Sequence, residues 1–374
     1  MIDTITKLTQ KLVGIRSDYP NESPAGIFLV DVLKDLGFKV EFQYPKDTKK
    51  RFNILATRGS GKRSILFYGH QDTVPLIDER LWTYKPLSGK IVGDKLYGLG
   101  AYDMKGGIAA FLQAVRHTSG YIKVLLPFDE ENISEGAWLA VQKRKDFFSD
   151  VELVISPEPN FGLGINNIPT SRPGRSVYEV NLHADAAHVA EYAHGKDAVL
   201  ELAVFITAFH KKFHDTSHPF FTSQYSLTMI RRVFSESVGI TAPSTATIQI
   251  EVYVDKNDNE EKFIAAVKKI ANVSINLISR KTPYLKAYRF YDFPHKNLIK
   301  QIIRKHTGKS FTNDTYSAVG DDNVIASLGI PVLTWGPDGG NAHVENEYVN
   351  LSSLRTLSAM FIDLLQNVEG QSLL

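Results

Sequence analysis

Apolar residues recur at helical spacing from Ile2 to Ile15 and from Pro24 to Leu36, and Gly37 stops the second run ahead of an extended segment, Phe38 to Phe42. Two apolar, strand-like runs follow, Asn53 to Thr57 and Ser64 to Tyr68, and the Gly-containing stretch Arg58 to Arg63 between them predicts a hairpin. Further strands are predicted at Lys123 to Phe128, Glu152 to Ser156 and Pro331 to Trp335. They alternate with helices near Lys105 to His117, Glu135 to Lys143, Asn297 to His306 and Leu351 to Gln366. Strands that are apolar throughout and alternate with helices belong to a mostly parallel sheet covered on both faces.

Between Ser176 and Ala287 the pattern changes. Tyr178, Val180 and Leu182 alternate with polar partners, and a helix follows with Val199, Leu202, Phe205, Ile206, Phe209 and Phe213 on one face. Then come Tyr225 to Arg231, the alternating Ile248, Ile250, Val252 and Val254, a helix from Glu260 to Ala271, and Val273, Ile275 and Leu277. The order βαββαβ is that of a ferredoxin-like unit. The predicted fold class is therefore α/β. Residues 1–175 and 288–374 form a domain with a mostly parallel sheet flanked by helices, interrupted by a ferredoxin-like βαββαβ domain over residues 176–287.

Composition narrows the chemistry. With 374 residues, 43% hydrophobic and 22% charged, the chain can bury a large core and is neither disordered nor fibrous. Lys and Arg (43) nearly balance Asp and Glu (41), so no global charge draws it to nucleic acid or to an anionic membrane. Met1 to Leu12 fits neither a secretory signal nor a membrane anchor, and no run approaches the ~20 apolar residues of a membrane span; the expectation is a soluble cytoplasmic protein. The chain has no cysteine, which removes disulfides, Cys nucleophiles and thiolate metal sites, so any metal needs His and carboxylates. Two cofactor motifs are imitated and fail. Gly59-Ser60-Gly61-Lys62 lacks the first glycine of a phosphate loop, at Ala56, and has Arg63 where Ser or Thr is required. Gly98-Leu99-Gly100-Ala101-Tyr102-Asp103 puts an anion where a dinucleotide's pyrophosphate would approach.

The candidate chemistry lies at strand ends, where open α/β sheets bind ligands. Strand Ile65 to Tyr68 runs into His70 and Asp72, and a carboxylate two residues after a histidine can accept its second ring N–H. Glycines around Asp103 let the backbone bend so that this residue points inward at a helix start, as a metal ligand, a helix cap or both. Lys123 to Phe128 ends in Glu130 and Glu131, which point in different directions and can serve a water and a metal separately, unless the loop is merely solvated acid. The next strand delivers Glu158 between two prolines, and Pro331 to Trp335 leads to His343. His70, Asp103, Glu131, Glu158 and His343 make a mixed nitrogen and oxygen donor set suited to Zn²⁺, with Mn²⁺ or Co²⁺ as substitutes. Five ligands exceed one open catalytic zinc but divide between two ions bridged by one carboxylate, with Glu130 as the base that takes a proton from water.

Together these segments resemble the zinc-dependent family that contains acetylornithine deacetylase, succinyl-diaminopimelate desuccinylase, aminoacylase and glutamate carboxypeptidase, over essentially the whole chain. The resemblance rests on His70-Gln71-Asp72-Thr73-Val74-Pro75, Gly98 to Gly107, Asp129-Glu130-Glu131, Glu158-Pro159, and His343 ahead of Glu347-Tyr348. It implies two Zn²⁺ per subunit: His70 and Glu158 on one ion, Glu131 and His343 on the other, and Asp103 bridging. It also implies that Asp72 orients His70, that Glu130 is the general acid/base and that the Asp103-Met104 bond is cis. In the inserted domain, Ala186-Ala187-His188-Val189-Ala190 is similar to the family's lid segment; His188 would stabilise the oxyanion in a partner subunit, which implies a homodimer through a lid and dimerisation domain. In the resemblance, a glutamate at Glu158 is what the deacylase and carboxypeptidase branches show, whereas aminopeptidase and dipeptidase relatives tend to have Asp, which tilts the substrate class. The expected activity is hydrolysis of the amide bond of an N-acyl amino acid (deacetylase- or desuccinylase-like), the alternative a dipeptidase or carboxypeptidase. Departures concern the substrate carboxylate. Ile240 precedes Pro243 where many relatives have Asn, and Tyr253 and Asn323 stand where Arg is common, so either other cations such as Arg172 or Arg175 anchor the substrate or it is not a free α-carboxylate compound.

Overall fold

Strands Ser64–Tyr68, Ile122–Leu126 and Val151–Ser156 are buried almost throughout, which a strand achieves only with neighbours on both edges and cover on both faces. The computed structural model describes residues 3–76, 78–194, 196–213, 228–254, 260–314 and 316–371. The chain divides into two compact units: Met1–Thr170 with Arg289–Tyr316 and Gly320–Leu374, and Ser171–Tyr288 with Ser317–Val319.

In the first unit a six-stranded sheet runs, edge to edge, Lys39–Gln43, Asn53–Arg58, Ile122–Leu126, Ser64–Tyr68, Val151–Ser156 and Val332–Thr334. The last four are mutually parallel and the first two antiparallel, as expected for a mainly parallel α/β sheet. The predicted hairpin does not form. Ile122–Leu126 lies between its two strands, pairing Leu126 with Ile54 on one side and Leu125 with Tyr68 on the other. Periodicity identifies buried strands but not their neighbours, and a third buried strand satisfies the inner edges of both. Helix Gly106–Val115 is apolar on nearly every side and packs under the sheet: Phe111 stacks on Phe67 at 4.9 Å, and Phe361 of helix Leu351–Gln371 meets both Phe67 and Trp335 edge-on at 5.3 Å. A small antiparallel sheet, Gly339–Gly340, Tyr348–Asn350, Lys95–Tyr97 and Lys90–Val92, ties the segment after His343 to the one that leads to Asp103.

The second unit is a four-stranded antiparallel sheet in the order Thr228–Ser235, Thr245–Val254, Gly174–His183, Val273–Leu277. Helices Ala198–Phe213 and Glu260–Lys268 cover the face built by Tyr178, Val180, Leu182, Ile248, Ile250 and Val252, so alternation in the strands selects which face is core. The predicted βαββαβ order is the observed one. The strand expected at Tyr225 to Arg231 is seen from Thr228, residues 225–227 lying outside the described ones. Among the described residues no helix is long and apolar enough to cross a membrane.

Candidate metal centre

The parallel strands of the first unit each deliver a residue to one end of the sheet. Past Tyr68 the chain stays beside its neighbour, with the Gly69 and Gln71 amides donating to the Leu125 and Pro127 carbonyls, and His70 turns inward between them. His70 Nδ1–H donates to the Asp72 backbone carbonyl at 3.0 Å, so in the neutral ring Nε2 carries the lone pair; that nitrogen lies 3.2 Å from Asp103 Oδ1. The orienting contact is therefore the carbonyl and not, as expected, the Asp72 carboxylate, which stands 3.7 Å from Nδ1. The carboxylate is otherwise engaged, accepting the backbone N–H groups of Glu130 (3.2 Å) and Glu131 (3.0 Å), so Asp72 also shapes the acidic turn.

Asp103 follows Gly100, whose left-handed φ of 75° and a would-be Cβ only 2.5 Å from Thr73 Cγ2 leave room for glycine alone. The Asp103–Met104 peptide bond is cis. Asp103 Oδ2 lies 3.2 Å from His343 Nε2, which is also 3.1 Å from Glu131 Oε1. One carboxylate thus faces two different histidines with its two oxygens, and His70, Asp103 and Glu131 hold ligand atoms within 4.8 Å of one another. Glu158 is outside that triplet but buried nearby, its charge acting on Glu130 and Tyr68. The Glu158 backbone packs so closely on Gly336 that a Cβ there would sit 1.6 Å from the Glu158 carbonyl oxygen.

Electrostatics follow from crowding acid in a buried space. Burial opposes a charged His70, yet the hydrogen bond to Asp103 and the charges of Glu130, Asp72 and Asp103 hold its pKa well above the usual value. His343 is pushed up to about 11: burial pulls down, and the bonds to Asp103 and Glu131 outweigh it. Burial would raise Asp103, but both histidines keep it well below the carboxylate range. Asp72 is lifted to about 7 by burial, against the charge of His70. Glu130 is driven well up by burial; His70 opposes, while Glu158, Glu131 and Asp321 add to the rise. This donor set fits divalent cations. It offers nitrogen and oxygen without sulfur, a carboxylate positioned between two imidazoles, and a concentration of negative charge that cations would offset.

Several supporting residues were not foreseen. Arg51 pairs with Glu22 (2.6 Å) and Asp129 (2.8 Å) between the rings of Tyr19 and Phe128, fixing the turn that presents Glu130 and Glu131. Glu347, quoted above only as part of a motif, accepts the backbone N–H groups of Gly100 (2.7 Å), Tyr102 (2.8 Å) and Asp103 (2.9 Å). Asp321 is wholly buried, its pKa driven up by burial and by the charges of Asp72 and Glu158. Their sequence signal is weak because each partner is distant along the chain. His188 belongs to the second unit, where it is exposed; its Nδ1 accepts the Ala190 N–H at 3.2 Å, so the neutral ring carries its proton on Nε2. Of the residues weighed for a substrate carboxylate, Arg172 is wholly buried, Arg175 is held by Glu251 at 2.7 Å, Tyr253 donates to Glu251 at 2.7 Å, and Asn323 accepts the Gly320 N–H at 3.0 Å.

Comparison with known proteins bears on this geometry. A family model described as Peptidase family M20/M25/M40 matches residues 66–367. The chain is 26% identical over 385 residues to a succinyl-diaminopimelate desuccinylase of Buchnera aphidicola subsp. Cinara cedri (strain Cc), a match covering 98% of this chain and 100% of that relative. Its fold is similar to that of an M20 family metallo-carboxypeptidase from Sulfolobus solfataricus, with a TM-score of 0.76, 16% identity and coverage of 98% of this chain and 99% of that one. It is also similar to a dinuclear metal-binding M20 peptidase from Bacillus subtilis, with a TM-score of 0.67, 14% identity and coverage of 98% of each chain.

Proposed function

The chain belongs to the peptidase family M20/M25/M40, and on that premise we propose that it removes the acyl group from an N-acyl amino acid, using two zinc ions, as a cytoplasmic homodimer. A hydrolase of amide or peptide bonds is what the family membership carries. The single observation behind the two-ion reading is Asp103, whose two oxygens face His70 and His343 at 3.2 Å each. His70 and Glu158 would hold one ion, Glu131 and His343 the other, with Asp103 between them. The dinuclear peptidase named above is consistent with this, and the desuccinylase supports an acyl-amino-acid substrate.

Bound there, the ions would acidify a water and polarise the amide carbonyl. The residues do the rest. Glu130, partly buried beside the centre, takes the water's proton and gives it to the leaving nitrogen. Asp72 anchors both sides of the site: its carbonyl fixes the His70 tautomer and its carboxylate holds the Glu130 and Glu131 amides. His188, with its proton on Nε2, would be the donor for the oxyanion developing in a partner subunit. Dimerisation through the second unit is supported by the edge strand Thr228–Ser235, which leaves Met229, Val233 and Phe234 about half exposed.

Metal analysis of the purified protein is expected to find about two zinc ions per chain. Glu130→Gln should lose about 10²-fold or more in kcat while keeping its metal. The proposal falls if the protein takes up no divalent ion and cleaves neither acyl-amino acids nor dipeptides when zinc or cobalt is supplied. Cleavage of dipeptides alone would favour the dipeptidase alternative.

A further inference from the structure

We propose that a small apolar cavity beside His343 is a specificity subsite for an uncharged, side-chain-sized substrate group next to the scissile amide; the inference rests on the hydrolase reading above. The cavity, of about 110 Å³, lies within the first unit between the chain that follows Thr73 and the turn at 343–345. Leu76, Leu81, Trp82, Leu99 and Val344 supply its apolar wall. His343 borders it too, and the Nε2 of that same ring stands 3.1 and 3.2 Å from Glu131 and Asp103. A group in the cavity is therefore one side chain away from the hydrolytic centre.

Its size and charge define what it takes. Whole-ligand pockets are usually about 300–1,000 Å³, so this one holds a substituent and not a complete substrate. Among the described residues its lining includes no Lys or Arg, and its two acids are Asp78 and Glu345. Asp78 is gripped by Arg80 through contacts of 2.8 and 3.0 Å, which leaves the charge of Glu345 to repel an anion. Leu81 and Val344, 61% and 52% exposed, offer aliphatic surface that a ligand would cover.

The shape is built in advance. Asn346 Oδ1 accepts the Thr83 N–H at 2.8 Å and so joins the two walls. Asn341, His343 and Asn346 all have left-handed φ values, 58°, 65° and 59°, which Asn and His adopt more readily than other side chains and which turn the chain sharply here. Asn341 Nδ2 reinforces the turn by donating to the Glu345 and Asn346 carbonyls, each at 3.3 Å.

The test compares N-acetyl-, N-butanoyl- and N-succinyl-alanine, together with the N-acetyl derivatives of leucine and glutamate, on the metal-loaded enzyme. On one side of the amide, kcat/KM should rise about fourfold per added methylene, and the anionic group should be at least tenfold worse than the apolar one of similar length. Leu81→Asp should cancel that gain through KM, and Trp82→Ala should shift the optimum to longer chains. Independently of turnover, Trp82 emission should respond to butanamide and not to succinamate, with Trp82→Phe as the blank and Leu81→Asp abolishing the response. A preference indifferent to these variants, or for anionic groups on both sides, overturns the subsite. A protein that binds butanamide at Trp82 yet cleaves none of the panel supports the subsite and counts against the hydrolase substrate instead.

Discussion

Replacing Glu347 by Gln removes a charge without changing shape, and its consequences can be worked out from three hydrogen bonds. The carboxylate is 1% exposed and accepts the amides of Gly100, Tyr102 and Asp103 at 2.7, 2.8 and 2.9 Å. A glutamine carbonyl can keep the two bonds on Oε1, but its NH₂ then confronts the Gly100 N–H, donor against donor. Burial lifts the Glu347 pKa to about 8 against the pull of those amides, so near pH 7 the metal-free protein holds mostly the protonated acid, which an amide imitates. Cations held at Asp103, as proposed, would favour the ionised form. The penalty should therefore fall on the loaded state: a lost charge-assisted bond of about 1.5–3 kcal/mol, or roughly 10- to 100-fold in metal affinity. Metal-free Glu347→Gln should unfold within about 1 kcal/mol of wild type at pH 6–7. Chelator competition and urea unfolding measure the two quantities. A variant that loses several kcal/mol of metal-free stability while binding metal normally would refute the view that Glu347 aims Asp103.

Other outcomes follow from the same geometry. With His343 near 11, His70 also raised and Glu347 near 8, all three are mostly protonated at pH 7 in metal-free protein, so metal binding should release up to about three protons and tighten as pH rises; calorimetry in buffers of different ionisation enthalpy reads this. The raised His343 pKa stabilises metal-free protein fully below pH 6.5, and that contribution fades as pH rises through about 11, which pH-dependent unfolding would follow. Gly336→Ala drives a Cβ into the Glu158 carbonyl and should destabilise by about 3 kcal/mol with loss of metal, whereas Gly93→Ala, with nothing within 4 Å, should lose only about 1 kcal/mol from its positive φ. Val233→Asp with Phe234→Asp, on the exposed edge strand, should yield monomers in sedimentation if that strand is the subunit contact.

How far the sequence could be read depended on the range of the interaction. Alternation over a few residues was enough for the strands, and the order of elements was enough for βαββαβ, because both are local. Which buried strands lie side by side is not local, so Ile122–Leu126 came between the two strands of the expected hairpin. The acids and histidines stand out in the sequence because they come shortly after strands, His70 and Asp72 after one, Glu130 and Glu131 after another. What Asp72 does with its carboxylate is set by a side-chain rotation and by two amides 58 and 59 residues away, which spacing from His70 cannot report. Glu347 and Arg51 were invisible as anchors for the same reason, their partners standing 244 and 78 residues off.

That separation has a consequence for when the protein can acquire metal. His70, Asp103, Glu131 and Glu158 precede the unit Ser171–Tyr288, and His343 and Glu347 come after it. Bringing ends about 240 residues apart together costs an unfolded chain about 5 kcal/mol of closure entropy, and contacts of such long range form slowly. A nascent chain that has completed the inserted unit still lacks one histidine of the pair around Asp103 and the carboxylate that aims it. On the two-ion reading proposed above, metal uptake would be a late event in folding, because a chain stalled short of residue 343 still lacks that histidine.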